Sequence, residues 1–120
     1  MIRFLRGIRH ALSGLVHAVR RERNFQIEVA LGLAALAMAW WLRISPVEWL
    51  AVVICCGLVL SAELLNTAIE HLADTTGPVC SEQIRVVKDV AAGAVLVAAV
   101  VSIGVGAAVF LPHLTSIARP

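Results

Sequence analysis

Three long apolar stretches constrain this sequence more than any other feature. They cover residues 28–44, 47–70 and 89–111. As helices they are long enough to cross a bilayer core of roughly 30 Å. A soluble domain of 120 residues could not bury so much apolar surface, because 60% of the residues are hydrophobic and only 15% are charged. The sequence therefore predicts an all-α integral membrane protein with three transmembrane helices, built as a single domain over residues 1–120.

Proline and tryptophan residues indicate where these helices begin and end. The tryptophan pair at positions 40 and 41 is typical of the interface at the far end of the first span. Pro46 fits the first turn of the second helix, where its missing N–H costs no hydrogen bond. We expect this helix to continue beyond its span to Asp74 and to stop at Gly77-Pro78, and we expect Pro112 to end the third span.

Residues 1–23 have the pattern of an amphipathic helix. Apolar residues recur at spacings of three and four, whereas arginines fill much of the remaining surface. The apolar positions are Phe4, Leu5, Ile8, Leu12, Leu15, Val16 and Val19. Such a helix lies in the headgroup layer, with its arginines near lipid phosphates. The interleaved residues are aliphatic rather than stacking aromatics, so we expect no nucleic-acid partner.

The charge distribution predicts the orientation in the membrane. Six arginines precede the first span: Arg3, Arg6, Arg9, Arg20, Arg21 and Arg23. Basic residues collect on the cytoplasmic side, so we expect the N-terminus inside the cell. The three spans then bring six of the eight acidic residues to the inner membrane face: Glu22, Glu28, Glu63, Glu70, Asp74 and Asp89.

One group on the second span is the strongest indication of function. Glu63, Asn66, Glu70 and Asp74 are separated by three, four and four positions, so they share one helix face. A carboxylate within a span costs roughly 2.5 to 3.5 kcal/mol, and several on one face require cations. Hard oxygen ligands near phosphate indicate Mg²⁺, and Lys88 would then be a phosphate contact.

Simpler interpretations of some of these residues remain open. Glu22, Glu28, Asp74 and Asp89 lie near helix ends, where carboxylates often reach water without any further role. This alternative explains Glu63 and Asn66 poorly, because they lie deeper. The histidines lack metal-ligand spacing, and we interpret all four as interfacial residues: His10, His17, His71 and His113.

The segment over residues 62–74 resembles the signature of the prokaryotic diacylglycerol kinase family, small trimeric lipid kinases unrelated to soluble kinases. The resemblance extends over nearly the whole chain, and shorter matches support it at residues 22–26, 47–49, 88–94 and 110–112. Several of these segments are more similar to the undecaprenol kinase branch. The resemblance implies a homotrimer with shared active sites in the bacterial cytoplasmic membrane. It also implies Mg²⁺- and ATP-dependent phosphorylation of a membrane lipid alcohol, with undecaprenol as the expected substrate and diacylglycerol as the alternative.

The resemblance also implies roles for individual residues. Glu63 would be the general base, with Glu22 and Glu70 as ligands of the metal that binds with ATP. The implied nucleotide contacts are Arg3, His10, Glu22, Asn66, Glu70, Lys88 and Asp89. The implied lipid contacts are Phe25, Gln26, Glu28 and Glu63, and Asp74 would support the site.

A different class of function is a small oligomeric proton or cation channel. A channel could also place Glu63 within a span. A channel would not require further polar residues along the second span toward the inner membrane face, namely Asn66, Glu70 and Asp74. It would also not require Lys88 to face them from the third span. The enzyme therefore explains more of the pattern than the channel does.

Overall fold

The computed structural model describes residues 1–76 and 81–119, and these ranges contain four α-helices. They are α1 (Ile2–Arg21), α2 (Arg23–Leu42), α3 (Pro46–Asp74) and α4 (Glu82–Ala118). By length and composition, α2, α3 and α4 could each cross a membrane. The predicted all-helical class with three candidate membrane spans is therefore confirmed.

A break at one residue separates α1 from α2. Glu22 adopts an extended conformation, with φ −99° and ψ 108°, so the chain changes direction between Arg21 and Arg23. Ala18 is buried beside this break, whereas the apolar side chains along the rest of α1 are exposed. The helix over residues 2–21 agrees with the sequence pattern. Its position in the headgroup layer stays a prediction.

A tight turn with a capped helix start connects α2 to α3. Arg43 takes a left-handed conformation with φ 51°. The Glu48 backbone N–H donates to Ser45 Oγ at 3.3 Å, and the Ser45 backbone N–H donates to Glu48 Oε2 at 2.7 Å. This is a capping box, and Pro46 occupies the first turn of α3 as predicted. The adjoining core contains Ala39, Leu42, Ile44, Val52 and Val109.

Contacts near both ends hold α3 and α4 together. At one end, His113 Nε2 lies 3.1 Å and 3.2 Å from the two carboxylate oxygens of Glu48. At the other end, Lys88 Nζ donates to Asp74 Oδ1 at 3.0 Å. The two helices are therefore antiparallel. We call the end that contains Glu22, Asp74 and Lys88 the junction end.

The prediction that Pro112 ends the last helix was wrong. α4 continues through Pro112 to Ala118. Because proline has no N–H, Pro112 leaves the Ala108 carbonyl, four residues earlier, without the donor that a helix normally supplies. α4 is helical on both sides of this position, so the loss of one backbone hydrogen bond does not end it. At its other end, α4 begins at Glu82. The Gly77-Pro78 pair, which was predicted to stop α3, lies outside the described residues.

Candidate active site at the junction end

The buried polar residues of α3 lie on one face near the junction end. Glu63 is 4% exposed and Asn66 is 6% exposed, and Thr67 is buried beside them. Asn66 Nδ2 donates to Glu70 Oε1 at 3.2 Å. The spacing of four residues brings these two side chains together, one turn apart. Asn66 and Glu70, two residues of the polar face that the sequence pattern predicts, are thus in contact.

The break between α1 and α2 supplies the opposite wall of this site. The Asn24 side chain lies within hydrogen-bonding reach of the Glu63 carboxylate. The charges of Glu22, Glu28 and Glu70 are close enough to Glu63 to interact with it. Four carboxylates therefore lie near one another: Glu22 at the junction of α1 and α2, Glu28 on α2, and Glu63 and Glu70 on α3. Asn24 belongs to this site although the sequence pattern did not indicate it.

Two buried oxygen atoms of the site have no hydrogen-bond partner among the described residues. They are Asn66 Oδ1 and Glu28 Oε2. A buried oxygen acceptor without a partner is costly, and a donor or a cation would offset that cost. Amide and carboxylate oxygens are the ligands that Mg²⁺ and Ca²⁺ prefer. The donor set around Glu63 therefore fits a hard divalent cation.

Glu22 occupies a special position in this arrangement. It is the N-cap residue of α2, yet its side chain makes no capping hydrogen bond. Instead, Glu22 Oε1 lies 3.1 Å from His71 Nε2 and 3.8 Å from His17 Nε2. Our interpretation of these histidines as interfacial residues missed their contact with Glu22. No local sequence signal indicates the contact of His71 with Glu22, because it depends on α3 packing beside the break between α1 and α2.

The basic and acidic residues at the start of α4 form ion pairs on the surface. Lys88 contacts Asp74, as described above, and Arg85 Nη1 donates to Asp89 Oδ2 at 2.9 Å. Arg85 also bonds to Glu82. Lys88 and Asp89 are thus adjacent in sequence but contact different partners. Arg85 lies beside both, and the sequence pattern did not single it out.

Two predicted nucleotide contacts lie farther along α1. At 1.5 Å per residue, Arg3 and His10 are about 28 Å and 18 Å from Glu22 along the helix axis. Their side chains are exposed. Within one chain they are therefore not part of the carboxylate cluster. Only a ligand extended along α1 from Glu22 would also reach His10.

The predicted lipid contacts also differ in their surroundings. The Phe25 ring is 3% exposed and packs inside the chain. Gln26 Nε2 donates to the Val19 carbonyl at 2.9 Å and so supports the break between α1 and α2. Glu28 lies at one end of an apolar groove of about 320 Å³ between α2, α3 and α4, and Phe110 lies at the other. Of these residues, Glu28 connects the carboxylate cluster to an apolar space within the spans.

Comparison with known proteins identifies the family of this chain. A sequence model described as prokaryotic diacylglycerol kinase matches residues 9–110. An undecaprenol kinase of Bacillus subtilis is 40% identical over 112 residues, which cover 93% of this chain and 91% of the relative. A diacylglycerol kinase of Synechocystis is 37% identical over 92% of this chain and 64% of its own length. A diacylglycerol kinase of Escherichia coli is 30% identical over 84% of this chain and 83% of its own length. The chain therefore belongs to the prokaryotic diacylglycerol kinase family of lipid kinases.

Proposed function

We propose that this chain transfers the γ-phosphate of ATP to the hydroxyl group of a membrane lipid, with undecaprenol as substrate, Mg²⁺ as cofactor and Glu63 as general base. The observation that carries this proposal is the buried Glu63 carboxylate, which lies near the further carboxylates of Glu22 and Glu70. A buried charge of this kind within a membrane span is costly and indicates function. Membership of a kinase family favours this interpretation over a channel.

Glu63 can act as the base in a balanced transfer step. Its carboxylate accepts the proton of the lipid hydroxyl, and the lipid oxygen forms a bond to the γ-phosphorus. The bond between that phosphorus and the oxygen bridging the β- and γ-phosphates breaks, which releases ADP. The role of Glu63 is to hold the hydroxyl and remove its proton, as a positioned general base does.

The cation would be held by the residues beside Glu63. Glu22 and Glu70 are the proposed ligands, and Asn66 positions Glu70 through its hydrogen bond. When bound, Mg²⁺ would neutralise negative charge on the phosphate oxygens during transfer. Asn66 Oδ1 has no hydrogen-bond partner within residues 1–76 and 81–119, which supports a polar ligand or a cation-bound water at this place.

The nucleotide would extend from this cluster along α1. His10, about 18 Å from Glu22, would contact the end of ATP that is distant from the phosphates, whereas Arg3, about 28 Å away, would contact a nucleotide only in a site shared between subunits. Lys88, held by Asp74, would approach the phosphates from α4. Asp89 would contact the nucleotide away from its phosphates, after its pair with Arg85 rearranges. Asp74 thereby supports the site by fixing the lysine.

The apolar groove between the spans suits the hydrocarbon part of the lipid. Glu28 at its junction end and Glu63 beyond it would meet the hydroxyl group. Phe25 and Gln26 would border the lipid by shaping the break from which Glu28 extends. We propose undecaprenol rather than diacylglycerol as the substrate, because the undecaprenol kinase of Bacillus subtilis is 40% identical to this chain and the match covers 91% of that relative.

We further propose a homotrimer with the site on the cytoplasmic side. Apolar side chains on all three candidate spans are exposed in the single chain and would face lipid or other subunits. Arg3 and His10 lie far from Glu22, so sites shared between subunits would bring more residues to each nucleotide. α1 would lie in the headgroup layer, and the spans would cover residues 28–44, 47–70 and 89–111 within one domain over residues 1–120.

Transfer of labelled γ-phosphate in detergent micelles tests this proposal. Undecaprenol and diacylglycerol are offered separately and then together, with Mg²⁺ present or removed by a chelator. We expect labelling of undecaprenol that requires Mg²⁺. Any labelling of diacylglycerol should have a lower kcat/KM. A higher kcat/KM for diacylglycerol would contradict the substrate assignment, and labelling of neither lipid would contradict the proposed activity.

A further inference from the structure

Three possible metal ligands from separate parts of the chain meet at the break between α1 and α2. Glu22 Oε1 lies 3.1 Å from His71 Nε2 and 3.8 Å from His17 Nε2. One ligand atom from each residue lies within 4.8 Å of the other two. The imidazole rings of His17 and His71 meet edge to face, with centroids 5.8 Å apart. Both histidine side chains are more than half exposed, so an ion from the aqueous phase can reach them.

The chemistry of this cluster differs from that of the proposed magnesium site. Imidazole nitrogens favour Zn²⁺ and neighbouring transition metals, whereas Mg²⁺ takes oxygen ligands. Two histidines and one glutamate are a known ligand set for Zn²⁺, with the fourth position left for water. The cluster therefore selects a different ion from the one that the carboxylates around Glu63 select.

The distances are close to those that a tetrahedral zinc ion requires. With metal–ligand bonds of about 2.1 Å, neighbouring ligand atoms in a tetrahedron are about 3.4 Å apart. The contact between Glu22 and His71, at 3.1 Å, is slightly shorter than this length. His17 must move inward by on the order of 1 Å, which its exposed side chain can do by a small rotation.

We propose that His17, Glu22 and His71 form a binding site for Zn²⁺, and that zinc bound there inhibits phosphate transfer. The inhibition rests on the proposed function, because Glu22 is also a proposed ligand of Mg²⁺. Zinc on Glu22 would occupy that carboxylate and place two further positive charges beside the magnesium site. It would also link α1 to α3 and so restrict the helix along which the nucleotide extends.

Zinc binding is tested without nucleotide or lipid. Chain without a polyhistidine tag is titrated with Zn²⁺ in detergent micelles by calorimetry. We expect one zinc ion per chain and at least a tenfold loss of affinity in His17→Gln and in His71→Gln, since even outer residues of metal sites contribute tenfold or more. His17→Cys supplies a thiolate ligand and should retain binding. His113→Gln is the matched control, because His113 contacts Glu48 at the opposite end. Unchanged affinity in both glutamine variants would overturn the site.

Inhibition is tested separately by phosphate transfer at a fixed Mg²⁺ concentration. We expect His17→Gln to keep the zinc-free turnover of the wild type and to need at least ten times more zinc for half inhibition. Equal zinc sensitivity of the two proteins would overturn the inhibitory role. If the wild type transfers no phosphate to either lipid, the proposed function fails, whereas the calorimetric titration still decides whether the zinc site exists.

Discussion

Replacing Glu63 by glutamine separates a catalytic role of this residue from a structural one. Glutamine has nearly the same shape and keeps an oxygen within reach of Asn24, but it cannot accept the hydroxyl proton. A positioned general base contributes about 10²- to 10⁴-fold to a rate. We therefore expect Glu63→Gln to lower kcat by that factor, which corresponds to about 2.7 to 5.5 kcal/mol of transition-state stabilisation.

The same substitution should leave the folded protein as stable as before or more stable. Glu63 is 4% exposed and lies near the like charges of Glu22 and Glu70, so a neutral side chain removes a burial cost and a repulsion. Insertion scales for a charge at the centre of a span, roughly 2.5 to 3.5 kcal/mol, set an upper bound on this gain. A purely structural glutamate would instead give lower stability together with lower activity.

The assay is labelled phosphate transfer combined with thermal unfolding in the same detergent. Glu82→Gln is the matched control, because that side chain is 74% exposed and lies at the start of α4. The control should keep both its turnover and its unfolding temperature. Turnover within tenfold of the wild type in Glu63→Gln would refute the role of Glu63 as base. A marked drop in its unfolding temperature would refute the electrostatic reasoning.

The remaining predictions concern the metal, the nucleotide and the helix cap. Glu70→Gln should raise the Mg²⁺ concentration for half-maximal transfer at least tenfold, and an unchanged magnesium titration would exclude Glu70 as a ligand. Lys88→Gln should raise the KM for ATP about tenfold, the effect of losing one charge-assisted hydrogen bond. Its KM for lipid should stay the same, and a rise in the lipid KM alone would contradict a phosphate contact. Ser45→Ala should destabilise the chain by about 1 kcal/mol, since it removes the cap of α3. An unchanged unfolding temperature would show that the cap contributes nothing.

The sequence predicted best those features that depend on local spacing. Pro46 after Ser45 indicated the start of α3, and the structure adds a capping box that includes Glu48. The spacing of Asn66 and Glu70 placed them on one helix face, where a hydrogen bond now joins them. Such features follow from helix geometry alone, so a single sequence contains enough information to predict them.

Features that depend on how separate helices pack were not predictable in this way. The contact of His71 with Glu22 requires α3 to lie beside the break that ends α1. The pairing of Lys88 with Asp74, rather than with its neighbour Asp89, depends on the packing of α3 against α4. Pro112 misled the prediction because a proline inside a helix removes one backbone hydrogen bond, and the 37-residue helix α4 continues past that loss.

The break at Glu22 explains why phosphate chemistry would be located at this end of the bundle. If α1 and α2 formed one continuous helix, the N–H groups at the start of α2 would all bond to α1 carbonyls. The extended conformation of Glu22 makes a new helix N-terminus, which carries a partial positive charge and favours anions. The Glu22 side chain does not cap this end but lies beside His71, where it would hold a cation next to the helix N-terminus. A single non-helical residue thus places a helix N-terminus, which favours anions, next to Glu22, the proposed ligand of Mg²⁺. Both would stabilise a magnesium-bound nucleotide during the proposed phosphoryl transfer.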